Sequence, residues 1–191
     1  MKKLNVFLSL TVASAICFTS ITPIFAQESD SIKQDSENSA VVMPRTSNSK
    51  YLSIPGGKGK LTANAWRSTN ETTSGNTYQW DYQVSAVYSG KYAVEKIRTT
   101  WVGSASLRNS ASISLGITGS GVNAGVGSSW QNVETKIKYW ENNNGAKNSS
   151  ARSNMIVSPR KDYRKDTIAI KNTARVKLKV DAKPYEISAS C

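Results

Sequence analysis

The chain has 191 residues, with 25 Lys and Arg against 13 Asp and Glu, two cysteines and no histidine. The absence of histidine excludes Ser-His-Asp and Cys-His catalysis and every zinc site that uses imidazole. The excess of positive charge bears on the partners and solubility of the protein and not on its fold.

The first 26 residues have the three parts of a secretory signal peptide. Lys2 and Lys3 give a positive start, an apolar stretch follows, and the small residue Ala26 precedes Gln27. We therefore predict a signal peptide over 1–26, cleavage between Ala26 and Gln27, and a secreted, extracellular protein. Cleavage leaves 165 residues, which suffice for one domain with a hydrophobic core and are too few for two comfortable ones.

Cleavage of the signal peptide would remove Cys17 and leave Cys191 as the one cysteine of the mature chain. With Cys191 alone, neither an internal disulfide nor a thiolate zinc site can form, and we expect no metal and no cofactor. The Cys191 thiol can pair with another molecule, and an inert exposed thiol is the equal alternative.

The mature chain is strongly cationic. Removal of Lys2 and Lys3 leaves 23 of the 25 basic residues against 13 acidic residues, a net charge of +10. For an exported protein, the natural anionic partners are a phospholipid surface and an acidic polymer of the cell envelope, and export disfavours nucleic acid.

Residues 27–50 are rich in Ser, Asn, Gln and charge. Such a segment buries too little apolar surface to offset its ordering entropy, which predicts a disordered leader or linker. We expect a single antiparallel β domain over 51–191, because alternation of apolar and polar residues dominates there and no helical period stands out.

The first clear strands lie between residues 80 and 117. Apolar residues alternate from Trp80 to Tyr88, Ser89-Gly90 predicts a turn, and odd-numbered apolar positions then continue from Ile97 to Ile117. Asn109-Ser110 interrupts this second run, so either one strand continues through a kink or two strands meet there.

Residues 113–127, "ISLGITGSGVNAGVG", predict a β-hairpin with a Gly-Ser-Gly turn. No charged residue occurs from 109 to 133, a length that accommodates two membrane-spanning strands. Small, Ser/Gly/Thr-rich segments of this kind resemble the insertion hairpins of β-pore-forming toxins. The same alternation is required of a soluble sandwich, in which the apolar face lies in the core. That face consists of Ile113, Leu115, Ile117, Val122, Ala124 and Val126.

Four further strands complete the expected fold. The parity of apolar residues changes between Trp130 and Val133, which predicts a bulge near Gln131. Val133 to Tyr139 is then predicted to form one strand, with Ile137 and Tyr139 on its inward face. Three β-branched segments follow over 154–157, 167–170 and 174–180. We predict an all-β fold, an antiparallel β-sandwich or small barrel of about eight strands.

Two groups of side chains are candidates for binding. Trp140 lies out of phase with Ile137 and Tyr139 beside an Asn-rich loop, so it is the aromatic residue best placed for a ligand contact. The last third of the chain is basic and could bind an anionic surface, or it could be a solvated edge that prevents aggregation. Its candidate residues are Arg160, Lys161, Arg164, Lys165, Lys171, Arg175, Lys177 and Lys179.

Enzymatic activity is not expected from the sequence. A glycosidase needs two carboxylates about 5–10 Å apart, and the acidic residues here are scattered singly. The leading hypothesis is a non-enzymatic cationic protein that associates with an anionic envelope polymer or membrane. The alternative is a membrane-active protein, a toxin or antimicrobial that inserts the 113–126 hairpin. A glycan-binding protein or hydrolase is a minor alternative.

Overall fold

The structure is a computed structural model that describes residues 45–116 and 121–191. These residues form two antiparallel sheets packed on a common core, which confirms the predicted all-β fold and identifies it as a sandwich. The described part holds twelve strands instead of about eight and one short 3-10 helix, Lys165–Thr167, with no helix that could cross a membrane. The strands are β1 Arg45–Ser53, β2 Lys60–Ser68, β3 Thr72–Ser74, β4 Thr77–Ser89, β5 Val94–Leu107, β6 Ser112–Leu115, β7 Val122–Asn123, β8 Gln131–Glu134, β9 Lys138–Asn142, β10 Asn148–Ser158, β11 Ala169–Leu178 and β12 Tyr185–Ser190.

The chain crosses between the two sheets several times along its length. The first sheet runs β1-β2-β4-β10-β6-β7, with β3 also paired to β4. The second sheet runs β12-β11-β5-β8, with β9 also paired to β5. Strands β5 and β11 therefore form the centre of the second sheet, and β6 and β7 form one edge of the first.

Alternation in β4 builds much of the core. Its inward face runs from Trp80 through Tyr82 to Tyr88, and each of these side chains is at most 2% exposed. Trp101 of β5 donates its indole N–H to the Tyr82 hydroxyl at 3.0 Å, which satisfies two polar atoms that would otherwise be buried without a partner. The large aromatic residues on the inward face of β4 therefore form contacts between the two sheets.

The sheets approach each other closely at Gly103 on β5. A Cβ atom at this position would lie 2.8 Å from the sulfur of Met155 and 3.0 Å from Cδ2 of Leu115. Contacts that short are not tolerated, so only glycine fits here without rearrangement. The close approach fixes β6 against the second sheet.

The N-terminal boundary of the fold lies earlier than expected. The predicted leader extends to residue 50, but β1 begins at Arg45 and pairs with β2 along its whole length. This strand contains few apolar residues, and its pairing with β2 is supported by the bond from Ser49 Oγ to Asn64 Oδ1 at 2.7 Å. Asn48 Nδ2 also donates to the Ser190 carbonyl of β12 at 2.9 Å. The predicted signal peptide and the Ala26–Gln27 bond lie outside the described residues.

The interruption at Asn109-Ser110 separates two strands and two sheets. Both residues have positive φ angles, 50° and 61°, and the chain crosses there from β5 in the second sheet to β6 in the first. Asp162, which is buried, accepts hydrogen bonds from Asn109 Nδ2 at 2.8 Å and from Arg108 Nε at 3.2 Å. These bonds help to hold the crossing in place.

Several predicted elements after residue 124 have different bounds. The bulge expected near Gln131 is a loop from Ala124 to Trp130, and the strand expected over 133–139 is divided into β8 and β9. The segments 167–170 and 174–180 are largely one strand, β11. The sequence reading did not include β12, whose apolar residues are few and whose pairing with β11 comes from tertiary structure.

Candidate functional site

The eight basic residues predicted as candidates for binding an anionic surface lie on two different parts of the fold. Strand β10 belongs to the first sheet and β11 to the second, so the loop between them crosses one end of the sandwich. Arg160, Lys161, Arg164 and Lys165 lie at that crossing, whereas Lys171, Arg175 and Lys177 lie on β11 and Lys179 directly follows it. Sequence proximity does not place these eight residues on one face, because the chain changes sheets between β10 and β11.

Most of the cations of the end loop have partners within the protein. Lys165 forms an ion pair with Glu71 at 3.1 Å, and Arg160 lies 6.0 Å from the centre of the Tyr78 ring. Arg164 lies 4.8 Å from the centre of the Trp130 ring, which Arg108 also contacts at 4.6 Å. These contacts cover the end of the sandwich, and they are largely structural.

The strand group lies on the outer face of the second sheet. Buried Asn172, Ala174 and Val176 alternate with the outward residues of β11, of which Lys171 and Arg175 are exposed and Lys177 is half-buried. The antiparallel register with β5 sets Arg98 directly opposite Arg175 and Lys96 directly opposite Lys177. Since residues directly opposite in a ladder share one face, four cations occupy adjacent positions.

Lys96 and Arg98 were missed as site residues in the sequence. Both alternate with buried Ile97 and Thr99, so their outward direction could have been read from the period-2 pattern. Their position opposite β11 could not be read from that pattern, because the pairing of β5 with β11 joins segments about seventy residues apart and depends on the tertiary fold.

Two carboxylates partly neutralise these cations. Glu141 accepts a hydrogen bond from Arg98 Nε at 2.7 Å and from Lys96 Nζ at 3.3 Å. Burial alone would raise the pKa of Glu141, but the bonds from Arg98 and Lys96 outweigh it and hold the pKa below its ordinary value. Glu95 accepts from Lys177 Nζ at 2.8 Å, and this bond lowers the pKa of Glu95. Both carboxylates are therefore ionised at neutral pH.

A depression of about 300 Å³ opens between these side chains on the outer face. Among the described residues, Arg175 forms no ion pair, although Glu186 of β12 lies opposite it in the ladder. The depression therefore has more positive than negative charge at its surface. Its lining residues are Glu95, Lys96, Arg98, Glu141, Arg175, Lys177, Ala182 and Pro184.

Large apolar side chains of β9 and of the segment before it are exposed. Ile137, which precedes β9, is 69% exposed and Tyr139 is 61% exposed on the side of these cations. Trp140 is 56% exposed, but it lies opposite buried Thr99 and so faces the other side of the second sheet. The Arg98 guanidinium lies 4.6 Å from the centre of the Tyr139 ring, and Ile137 and Lys171 line a second depression of about 230 Å³. Exposed apolar residues and cations thus share the region around β9 and the outer face of the second sheet.

The sequence reading singled out Trp140 and assigned its neighbours differently. It placed Ile137 and Tyr139 on the inward face of a strand, and that assignment is wrong. Tyr139 lies opposite Thr100 in the ladder and therefore points outward with Arg98, and Ile137 lies in the segment between β8 and β9. Alternation across residues 133–139 was misleading because the strand is broken there.

The predicted hairpin is packed on the protein core over most of its described residues. Ile113, Leu115 and Ala124 are at most 5% exposed, and Val122 is half-buried. The prediction that Val126 shares their apolar face is wrong: Val126 is 95% exposed, because β7 ends at Asn123 and the chain then leaves the sheet. Ile117 lies outside the described residues.

Cys191 closes the last strand pairing of the second sheet. Its backbone N–H donates to the Ile170 carbonyl at 3.1 Å, and its carbonyl accepts from the Ile170 N–H at 2.8 Å. The side chain is half-buried against the core, and this burial raises the pKa of the thiol. A disulfide with another molecule would require the thiol to leave this contact.

Comparison with known proteins gives little further information. No family model matches the chain, and no curated protein matches it. One solved structure that matches is described as a "Pore forming protein", with 9% identity over 76% of this chain and 90% of that chain and a TM-score of 0.28. A likeness this weak supports no inference about function.

Proposed function

We propose that this chain is a secreted, non-enzymatic protein that associates with anionic phospholipid surfaces through the outer face of its second sheet. The observation that supports the proposal is the position of exposed Ile137 and Tyr139 beside the cations of β5 and β11. Tyrosine and tryptophan favour the interface between headgroups and acyl chains, and adjacent Lys and Arg are attracted to anionic headgroups. A charged polymer would use the cations alone, so the apolar group favours lipid.

The proposal predicts salt-sensitive binding to anionic vesicles. We expect the purified protein to sediment with vesicles that contain about one quarter phosphatidylserine and not with phosphatidylcholine vesicles, and binding should fall steeply between about 50 and 500 mM NaCl. Each cation near the surface contributes about 1 kcal/mol, so Lys96→Gln with Arg175→Gln should weaken binding roughly 10- to 30-fold.

The matched control removes two cations from the end loop. Arg160→Gln with Lys161→Gln changes the net charge by the same amount, and we expect a weakening of less than about threefold because these residues lie away from the outer face. Equal losses from both pairs would mean that net charge alone drives binding. Absence of sedimentation with anionic vesicles at low salt, together with sedimentation on an acidic polymer, would overturn the lipid proposal.

A second candidate function is membrane insertion by the β6–β7 hairpin. The observation in its favour is that the hairpin forms an edge of the first sheet and pairs with the rest of that sheet through four residue pairs between β6 and β10. The sequence from 109 to 133 carries no charge, so once released it could enter a bilayer in the company of other copies.

A disulfide between β6 and β10 tests the second candidate. Ser114 and Ile156 lie directly opposite in the ladder, so Ser114→Cys with Ile156→Cys, in a Cys191→Ser background, locks the hairpin to the sheet. Insertion predicts dye release from anionic vesicles that oxidation abolishes and reduction restores. Our leading proposal predicts binding without release in both redox states.

A further inference from the structure

The outer face of the second sheet brings like charges together in pairs. Arg98 lies directly opposite Arg175, and Lys96 lies directly opposite Lys177, at two neighbouring positions of one ladder face. Like charges directly opposite one another destabilise a sheet, and a purely structural role would favour alternating signs. Glu141 lies opposite Arg98 and Glu186 lies opposite Arg175 on the outer sides of this pair, but the two arginines face each other directly, so an anion bound between them would relieve their repulsion.

The two carboxylates of the depression do not compensate all four cations. Glu141 is bonded to Arg98 and Lys96, and Glu95 is bonded to Lys177. The fourth cation, Arg175, forms no ion pair among the described residues. The residues that line the depression therefore carry two more positive than negative charges, with Glu186 outside the lining and opposite Arg175, and the Arg175 guanidinium has donors available for a ligand.

The shape and donor set of the depression fit a phosphate group. A water molecule occupies about 30 Å³ of liquid, so a depression of about 300 Å³ admits a tetrahedral oxyanion and part of the group attached to it. Planar guanidiniums bind phosphate oxygens through paired N–H donors, and lysine adds a point charge. Ala182 and Pro184 form an apolar wall against which a glycerol or similar stem could pack.

We infer that the depression between β5 and β11 binds the phosphate of a phosphomonoester or phosphodiester, with Arg98 and Arg175 as its principal ligands. The inference rests on the proposed function, which it deepens by naming the headgroup chemistry that the outer face recognises. Phosphate of this kind is carried by phospholipid headgroups and by free glycerol phosphates, so the source must be distinguished by experiment.

Calorimetric titration with glycerol 3-phosphate, at constant ionic strength and against chloride, tests the inference directly. We expect saturable binding to the wild-type protein and a loss of about 10- to 100-fold in Arg175→Gln, since a hydrogen bond to a charged group contributes about 1.5–3 kcal/mol. Arg175→Lys, which keeps the charge and removes the planar fork, should lose most of this affinity. Arg175 is exposed, and near-ultraviolet circular dichroism checks that each variant is folded.

Lys171→Gln is the matched control, because Lys171 is exposed on the same face of β11 but does not line this depression. We expect it to change glycerol 3-phosphate affinity by less than about twofold. Absence of saturable binding to the wild-type protein, or equal losses in Arg175→Gln and Lys171→Gln, would overturn the inference and leave diffuse attraction as the mode of contact.

Sedimentation of the same variants with vesicles distinguishes lipid headgroups from free phosphates as the ligand. It also distinguishes the phosphate site from the proposed surface association. If the site takes lipid headgroups, Arg175→Gln lowers both glycerol 3-phosphate affinity and sedimentation with phosphatidylserine vesicles. If the site binds free phosphates, Arg175→Gln lowers glycerol 3-phosphate affinity but leaves sedimentation with phosphatidylserine vesicles unchanged. If wild-type protein sediments with vesicles but does not bind glycerol 3-phosphate, the phosphate site is refuted and the proposed surface association stands.

Discussion

Replacing Asn172 with aspartate is expected to lower the free energy of unfolding by about 3–5 kcal/mol at pH 7. The Asn172 amide, fully buried, donates to the backbone carbonyls of Asn64 and Ser85 at 2.8 Å each and joins β11 to the opposite sheet. Aspartate has nearly the same shape but presents a carboxylate oxygen to both carbonyls, so two hydrogen bonds become repulsions in a site that water does not reach.

The loss of stability caused by Asn172→Asp is expected to grow as pH rises. Burial and the two carbonyls raise the pKa of an aspartate at position 172 above its value in the unfolded chain. Between those two pKa values, the folded state binds more protons than the unfolded state, so stability falls as pH rises. Urea denaturation should therefore show that the difference in free energy of unfolding between wild type and Asn172→Asp is smaller at pH 5 than at pH 7.

The matched control for this experiment is Asn154→Asp. Asn154 is half-buried on β10, and its side chain bonds to Gln79 at 3.3 Å. We expect a loss of less than about 1 kcal/mol there. Wild-type stability of Asn172→Asp at pH 7 would contradict the described link between the sheets.

Replacing Leu115 with aspartate is the second change with a large expected effect. Leu115 is 2% exposed and packs beside Gly103 and Met155 where the sheets approach closely. The substitution removes a core side chain and buries a charge, so we expect a loss of about 4 kcal/mol or more, which is a large fraction of the stability of most domains.

Ser114→Asp is the control for Leu115→Asp. Ser114 precedes Leu115 on β6 and faces the other side of the sheet, where it is half-buried. Urea denaturation should show a loss of less than about 1.5 kcal/mol for Ser114→Asp. Wild-type stability of Leu115→Asp would mean that the hairpin is undocked in solution, which would favour the insertion hypothesis.

This placement of Leu115 also changes how insertion must be tested. A charge on the apolar face of the hairpin would unfold the protein before it met a membrane, so loss of dye release in Leu115→Asp would have two explanations. The Ser114–Ile156 lock leaves the core intact, and its oxidised and reduced forms are compared in the same protein.

The fold class could be predicted because its determinants are local. The inward face of β4, from Trp80 to Tyr88, and the outward residues of β11 follow a strict period of two, which needs no knowledge of partners. Strand β1 could not be predicted in this way. Its polar residues carry no hydrophobic signal, and its place in the sheet depends on the whole length of its pairing with β2.

For the same reason, only part of the candidate site could be predicted from the sequence. Arg175 and Lys177 stood out from their own neighbours along the chain, whereas Trp140, which also stood out, lies on the other face of the second sheet. The opposing residues Lys96 and Arg98 became part of the site through the register between β5 and β11. Tyr139 became part of it through the pairing of β9 with β5, which turns its ring toward Arg98.

Simultaneous measurement of vesicle binding and dye release tests the central claim most directly. That claim is that the protein attaches to an anionic bilayer by the outer face of its second sheet while Ile113 and Leu115 stay in the core. The account predicts that wild-type protein binds phosphatidylserine vesicles in a salt-dependent manner and releases no more dye than vesicles alone. Dye release by the wild-type protein, abolished when the Ser114→Cys, Ile156→Cys variant is oxidised, would contradict it.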